Sequence, residues 1–90
     1  MEKGGIVLGQ VVRSKAGRDK DAYFVVVGLE KEQYLYIADG NLRKVDRPKK
    51  KKAKHLARTG IVLTEVAEKL KSGKKVTNAE LRKNLRDLGG

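Results

Sequence analysis

The chain has no cysteine, a single histidine, His55, and a single proline, Pro48. Without cysteine there are no disulfides, no thiolate metal sites and no thiol nucleophile, an absence compatible with a reducing compartment. With one histidine, set beside a run of lysines, there is no imidazole pair for a metal and no obvious base for a nucleophile. Long apolar runs are missing as well. The longest are Ile6–Leu8, Tyr23–Val27, Tyr34–Ala38 and Ile61–Leu63, whereas a spanning helix needs about 20 residues and a signal peptide an apolar stretch of about 7–15. The expectation is a soluble cytoplasmic protein that does not contact membranes. A phosphate-binding loop of the GxxxxGK type would need glycine at Glu68 to accompany Gly73-Lys74. The 11 acidic residues are scattered through turns and helix surfaces. No enzyme, no cofactor and no metal site is expected.

What is present is charge, and it is unevenly placed. The 90 residues are 39% hydrophobic and 37% charged, too apolar for a disordered chain and enough for one small core. Lysine and arginine number 22, for a net charge of +11. Residues 1–46 are close to neutral, and residues 59–90 carry a modest excess. Residues 47–58, RPKKKKAKHLAR, hold seven basic groups and no acid. Such a block attracts a polyanion, nucleic acid first, and by itself is expected to be disordered when free.

The first half reads as short strands bounded by turn residues. The runs Ile6–Ser14, Tyr23–Leu29, Tyr34–Ala38 and Leu42–Val45 are rich in Val, Ile and Tyr. Leu35 and Ile37 alternate with Tyr34 and Tyr36, so one face of that strand enters a core and the other offers phenol rings. Four short strands suit a small bent antiparallel barrel, with Lys54–Arg58 as a short closing strand. Pro48 has no N–H to give a ladder and ends the last run. From Leu63 the period changes: Leu63, Val66, Ala67 and Leu70 share one helical face that stops near Ser72-Gly73. Thr77-Asn78-Ala79-Glu80 has the form of a capping box, followed by Leu81, Leu85 and Leu88 on a second helix that Gly89-Gly90 ends. The expected organisation is a mainly β barrel over residues 1–58, including the basic segment 47–58, and a two-helix hairpin over residues 59–90.

Between the first two runs lies SKAGRDKDA, Ser14–Ala22, nine polar or small residues where a tight hairpin needs two. With its flanks, GQVVRSKAGRDKDAYFVVVG resembles the KOW motif, two strands and a connecting loop within a Src-homology-3-like β-barrel. The continuation YLYIADGNLRKVDRPKKKKAKHL is similar to ribosomal KOW proteins of the archaeal and eukaryotic large subunit, in particular the fourteen-e class and its bacterial relatives. The order AGRD, IADG, then a lysine run ending in KHL narrows the resemblance, which spans roughly residues 5–56.

The resemblance implies that the loop around Gly17 is presented to RNA. Glycine lets the backbone approach a phosphate, while Lys15, Arg18 and Lys20 neutralise it. Arg18 is the leading contact because guanidinium forks two hydrogen bonds where lysine supplies a point charge. Arg43 and Lys44, and then Arg47, Lys49, Lys50, Lys51, Lys52, Lys54 and His55 in the basic segment, complete the expected RNA surface. Tyr34 and Tyr36 are in position to stack on unpaired bases. The plainer reading makes Gly17 a turn residue whose neighbouring charges are solvated and offset by Asp19 and Asp21. The implied function is binding folded large-subunit ribosomal RNA, with possible contacts to ribosomal proteins, by a protein that is monomeric when free and ribosome-associated in the cytoplasm. The alternatives are a KOW adaptor that binds protein partners of the transcription or translation machinery, and a DNA-binding barrel.

Overall fold

The computed structural model describes residues 5–31 and 33–89. Five strands form one antiparallel sheet: β1 Gln10–Ser14, β2 Tyr23–Leu29, β3 Tyr34–Ala38, β4 Lys49–Lys52 and β5 Leu56–Val62. Their order across the sheet is β4-β3-β2-β1-β5. A 3-10 turn, Ala53–His55, links β4 to β5, and two helices follow, α1 Thr64–Lys71 and α2 Asn78–Gly89. The mainly β fold with two C-terminal helices is as the sequence pattern indicates.

Strand alternation builds two apolar clusters on opposite faces of the sheet. Phe24 and Val26 of β2 join Val12, Leu35, Ile37, Leu56 and Ile6 on one face. Val25, between them in sequence, points the other way and joins Ala38, Val66, Val76 and Leu81, where the helices cover the sheet. Irregular registers at Gln10/Val12 and Val26/Gly28 add bends and twist to β1 and β2. Among the observed pairings no ladder joins β4 to β5.

Four expectations need correction. Leu42–Val45 is not a strand. The Asp39 carboxylate accepts hydrogen bonds from the Asn41 and Arg43 N–H groups at 2.9 and 2.8 Å, and the Asp39 and Gly40 N–H groups donate to the Arg43 carbonyl at 2.9 and 3.0 Å. This local bonding satisfies the backbone in a turn and leaves Leu42 64% exposed. Second, the lysine block is not a disordered tail but strand β4, paired with β3. Third, the last strand starts at Leu56 and continues to Val62, while Lys54 and His55 belong to the 3-10 turn. Fourth, β1 begins at Gln10, because Gly9 takes φ +83° and packs so closely on Ala67 of α1 that a Cβ would not fit.

The helices form where their periodicity and caps place them. Thr77 and Glu80 close the capping box: the Thr77 Oγ1 accepts from the Glu80 N–H at 3.1 Å, and the Glu80 carboxylate accepts from the Thr77 N–H at 3.3 Å. The same carboxylate receives the Lys69 ammonium, tying α2 to α1 at 2.6 Å. The Lys69 hydrogen bond, more than the Thr77 amide, holds the Glu80 carboxyl below its usual value against the opposing effect of burial. Among the described residues no helix is long and apolar enough to cross a membrane.

Candidate nucleic-acid interface

The Ser14–Ala22 loop is built rather than slack. Its ends are closed by Ser14 N–H to the Ala22 carbonyl at 2.9 Å and Asp21 N–H to the Ser14 carbonyl at 2.7 Å. Inside, Lys20 N–H donates to the Gly17 carbonyl and Ala22 N–H to the Asp19 carbonyl, so two consecutive turns fill the loop. Gly17 has φ +81° and Asp21 φ +72°, conformations that suit glycine and that aspartate tolerates better than most residues. The two aspartates have different tasks. Asp21 pairs with Arg13 at the surface at 2.9 Å. Asp19 turns inward, 7% exposed, and accepts from Arg43 Nε and Nη2 at 3.2 and 3.0 Å, with the Lys49 ammonium 3.7 Å away. Burial alone raises the Asp19 carboxyl, but the Arg43 hydrogen bond and the charges of Arg43, Lys49 and Lys51 outweigh it and leave the group below its usual value.

Strand periodicity sorts the four lysines of β4 into two pairs. Lys49 and Lys51 oppose Ile37 and Leu35, core residues, and so share the core face. Their aliphatic stems cover its edge while their ammonium groups reach the loop. Lys51 is 9% exposed, and its Nζ donates to Ser14 Oγ at 2.7 Å and to the Ala16 carbonyl at 3.0 Å. Burial first, then repulsion from Lys49 and Arg43, holds the Lys51 ammonium below the usual lysine value despite the nearby Asp19. Lys50 and Lys52 lie on the opposite face, over Tyr34, with their Nζ atoms 4.8 and 5.8 Å from the ring centroid. Tyr36 has a different role. Its ring lies against Gly28, and its hydroxyl donates to Glu30 at 2.8 Å, which raises the Tyr36 phenol and lowers the Glu30 carboxyl.

The loop and the lysine strand, some thirty residues apart in sequence, therefore meet. Gly17, Tyr34, the four lysines Lys49, Lys50, Lys51 and Lys52, and His55 line one open groove of about 390 Å³. The Lys15 N–H donates to the His55 carbonyl at 2.8 Å and fastens the loop to the 3-10 turn. Lys15, Arg18 and Lys20 project from the loop exposed, and among the described residues the Arg18 guanidinium has no hydrogen-bond or ion-pair partner. Lys44, Arg47 and Lys54 are also exposed but do not line the groove. Arg43 is committed to Asp19, and Lys51 to Ser14 and Ala16. Both sit among the expected contacts, but their charged ends serve the loop from within. The residues that sequence reasoning passed over are Asp19 and Ser14, whose burial follows from contacts with residues 43 and 51. The one local signal was a pair of aspartates, Asp19 and Asp21, among the cations of the loop.

Chemically, the groove is a cationic surface with one aromatic floor. Among the described residues no group of three or more His, Asp or Glu side chains is gathered to hold a metal ion. The arrangement suits binding of an extended polyanion. In comparisons with known proteins, the chain matches no family model and no curated sequence.

Proposed function

We propose that this is an RNA-binding protein of the KOW type, similar to the fourteen-e class, that binds folded large-subunit ribosomal RNA by its 14–22 loop and the exposed lysines of β4. The observation that carries the reading is the convergence of Gly17, Lys50, Lys52 and His55 on one groove, next in sequence to the exposed Arg18. Support for a Src-homology-3-like barrel comes from connectivity. β4 and β5 are the two sheet edges, yet only Ala53–His55 separate them. Three residues of 3-10 helix advance about 6 Å, so one end of β4 lies near one end of β5, which supports a curled sheet. In this reading the loop fixes orientation, the lysines supply sequence-independent phosphate affinity, and the protein works by binding alone, in the cytoplasm on the large subunit.

The test is titration of ribosomal RNA fragments over a range of salt. Lys50→Gln with Lys52→Gln is expected to flatten the slope of log affinity against log salt by about 1.4, at about 0.7 for each single-strand phosphate contact. Arg18→Ala should weaken binding about 5- to 150-fold without changing the melting temperature. An unchanged slope together with wild-type affinity in Arg18→Ala would sink the RNA reading, and tighter binding to duplex DNA of equal length would replace it with the DNA-binding barrel. The adaptor reading has one observation of its own: an apolar groove of about 440 Å³ between the sheet and α2, lined by Val11, Tyr23, Ile61, Leu85 and Leu88. Sedimentation distinguishes them, since a ribosomal constituent stays with the large subunit through moderate salt and an adaptor leaves it.

A further inference from the structure

Tyr34 is the tyrosine of the groove, and its ring is engaged by side-chain cations alone in the contacts seen among the described residues. Tyr36, two residues on and on the same strand face, is occupied by Gly28 and Glu30. Tyr34 instead stands at the groove floor, half-buried, with the ammonium ends of Lys50 and Lys52 over its ring at 4.8 and 5.8 Å from the centroid. Both ammonium groups are strong phosphate ligands, and an exposed cation–π contact is weak, so an arriving phosphate draws them off the ring. The vacated face is then open to a base, and base–aromatic stacking is worth more than the contact it replaces.

Resting on the RNA-binding reading above, we infer that Tyr34 is a stacking platform for one unpaired base, and that Lys50 and Lys52 hold the phosphates beside that base. The substrate class is therefore RNA with a bulged or looped nucleotide within a folded helix, rather than continuous duplex. A base inside a duplex has both faces covered by its neighbours and has none to offer the ring. Among the described residues Tyr34 is the one phenol ring that lines the groove, and the platform it offers takes one base. The sheet face beside it is closed by Tyr36, so no second stacking position follows along β3.

The experiment uses two RNA hairpins of equal charge, one fully paired and one with a single bulged nucleotide, with 5-iodouridine at the bulge for photocrosslinking. The expected results are tighter binding of the bulged hairpin and a crosslink that maps to Tyr34. Tyr34→Leu should lower affinity for the bulged hairpin about 5- to 150-fold, leave the paired hairpin and the salt slope unchanged, and Tyr34→Phe should restore the preference. Equal binding of the two hairpins, or a crosslink mapped to another residue, would overturn the platform. If Lys50→Gln with Lys52→Gln weakens both hairpins while Tyr34→Leu weakens neither, the RNA reading stands and the stacking fails. If neither hairpin binds, both fall. Crosslinking is read on the wild-type chain, so the result does not depend on the variants folding.

Discussion

At the scale of single residues, Asp19 governs the site without belonging to the surface. Among the described residues its carboxylate is the one anion paired with Arg43 and Lys49 and near Lys51, so it lets three cations share the space beneath the loop. Asp19→Asn keeps the shape and removes the charge. At pH 7 it should destabilise the fold by roughly 1–3 kcal/mol, less than a fully buried pair would lose, because Arg43 and Lys49 are each about a third exposed. The pH dependence follows from the sign of the shift. The folded carboxyl sits below its usual value, so the contribution is full above about pH 4 and disappears as pH falls through the folded value. Urea unfolding of wild type and Asp19→Asn should therefore differ at pH 7, and the difference should shrink as pH falls below about 4. A gap that persists undiminished in acid would mean that the carboxylate charge is not what holds the loop. Lys51 has the opposite balance. Its folded ammonium is lowered by burial, so its charge disfavours the fold until pH rises toward the lysine range, and Ser14 and Ala16 offset that cost by accepting hydrogen bonds from it.

At the scale of elements, the 39–45 turn is where the sheet and α2 meet. The Asn78 side chain accepts from the Val45 N–H at 2.7 Å, and Arg82 donates to the Gly40 carbonyl at 2.7 Å. Gly40 and Gly17 both adopt left-handed backbone, φ +79° and +81°, but their surroundings differ. A Cβ at Gly17 would touch only the Lys51 ammonium at 3.8 Å, whereas one at Gly40 would collide with the Asn78 carbonyl at the start of α2. Gly17→Ala should thus cost only the conformational strain, about 1–2 kcal/mol, and Gly40→Ala should cost that and the displacement of the helix, at least about 3 kcal/mol. Equal shifts in the urea midpoint would show that α2 does not seat on this turn. The contrast also explains what was legible. α1 and α2 announced themselves by period and capping box, signals contained within each helix. The residues from Leu42 to Val45 looked like a strand by composition, and only Asp39, a few residues upstream, decides for the turn. β4 was hidden for another reason: four like charges in a row are poor sheet material unless something specific faces each of them. Here the core edge and loop face Lys49 and Lys51, and Tyr34 faces the other two.

At the scale of the molecule, the strand content and the basic character of the site could be read from the chain, but its assembly could not. Nothing local to residues 14–22 or 49–52 says that they share a groove. The β4-β3-β2-β1-β5 order brings them together, and strand order depends on which faces find partners rather than on any single segment. The same order ties the helices to the sheet. β5 runs from Leu56 to Val62, across residue 58, and Val25 and Ala38 of the central strands are fully buried against Val66, Val76 and Leu81. A fragment ending at residue 62 keeps every strand and the whole cationic groove but uncovers that second cluster. Burial of an aliphatic side chain is worth about 1.5–3 kcal/mol, and small domains have only about 5–15 kcal/mol in total, so two or three uncovered residues are enough to remove the folded state. The full chain should unfold in one calorimetric transition with equal van't Hoff and calorimetric enthalpies, and residues 1–62 alone should show no cooperative transition. RNA affinity provides a second readout: the fragment retains the lysines and so the salt slope, but loses the Arg18 and Tyr34 effects, because both depend on a loop and a strand held in place. Cooperative melting of residues 1–62 near the full-length midpoint would instead make the helices an appendage, available to a partner while the sheet binds RNA by itself.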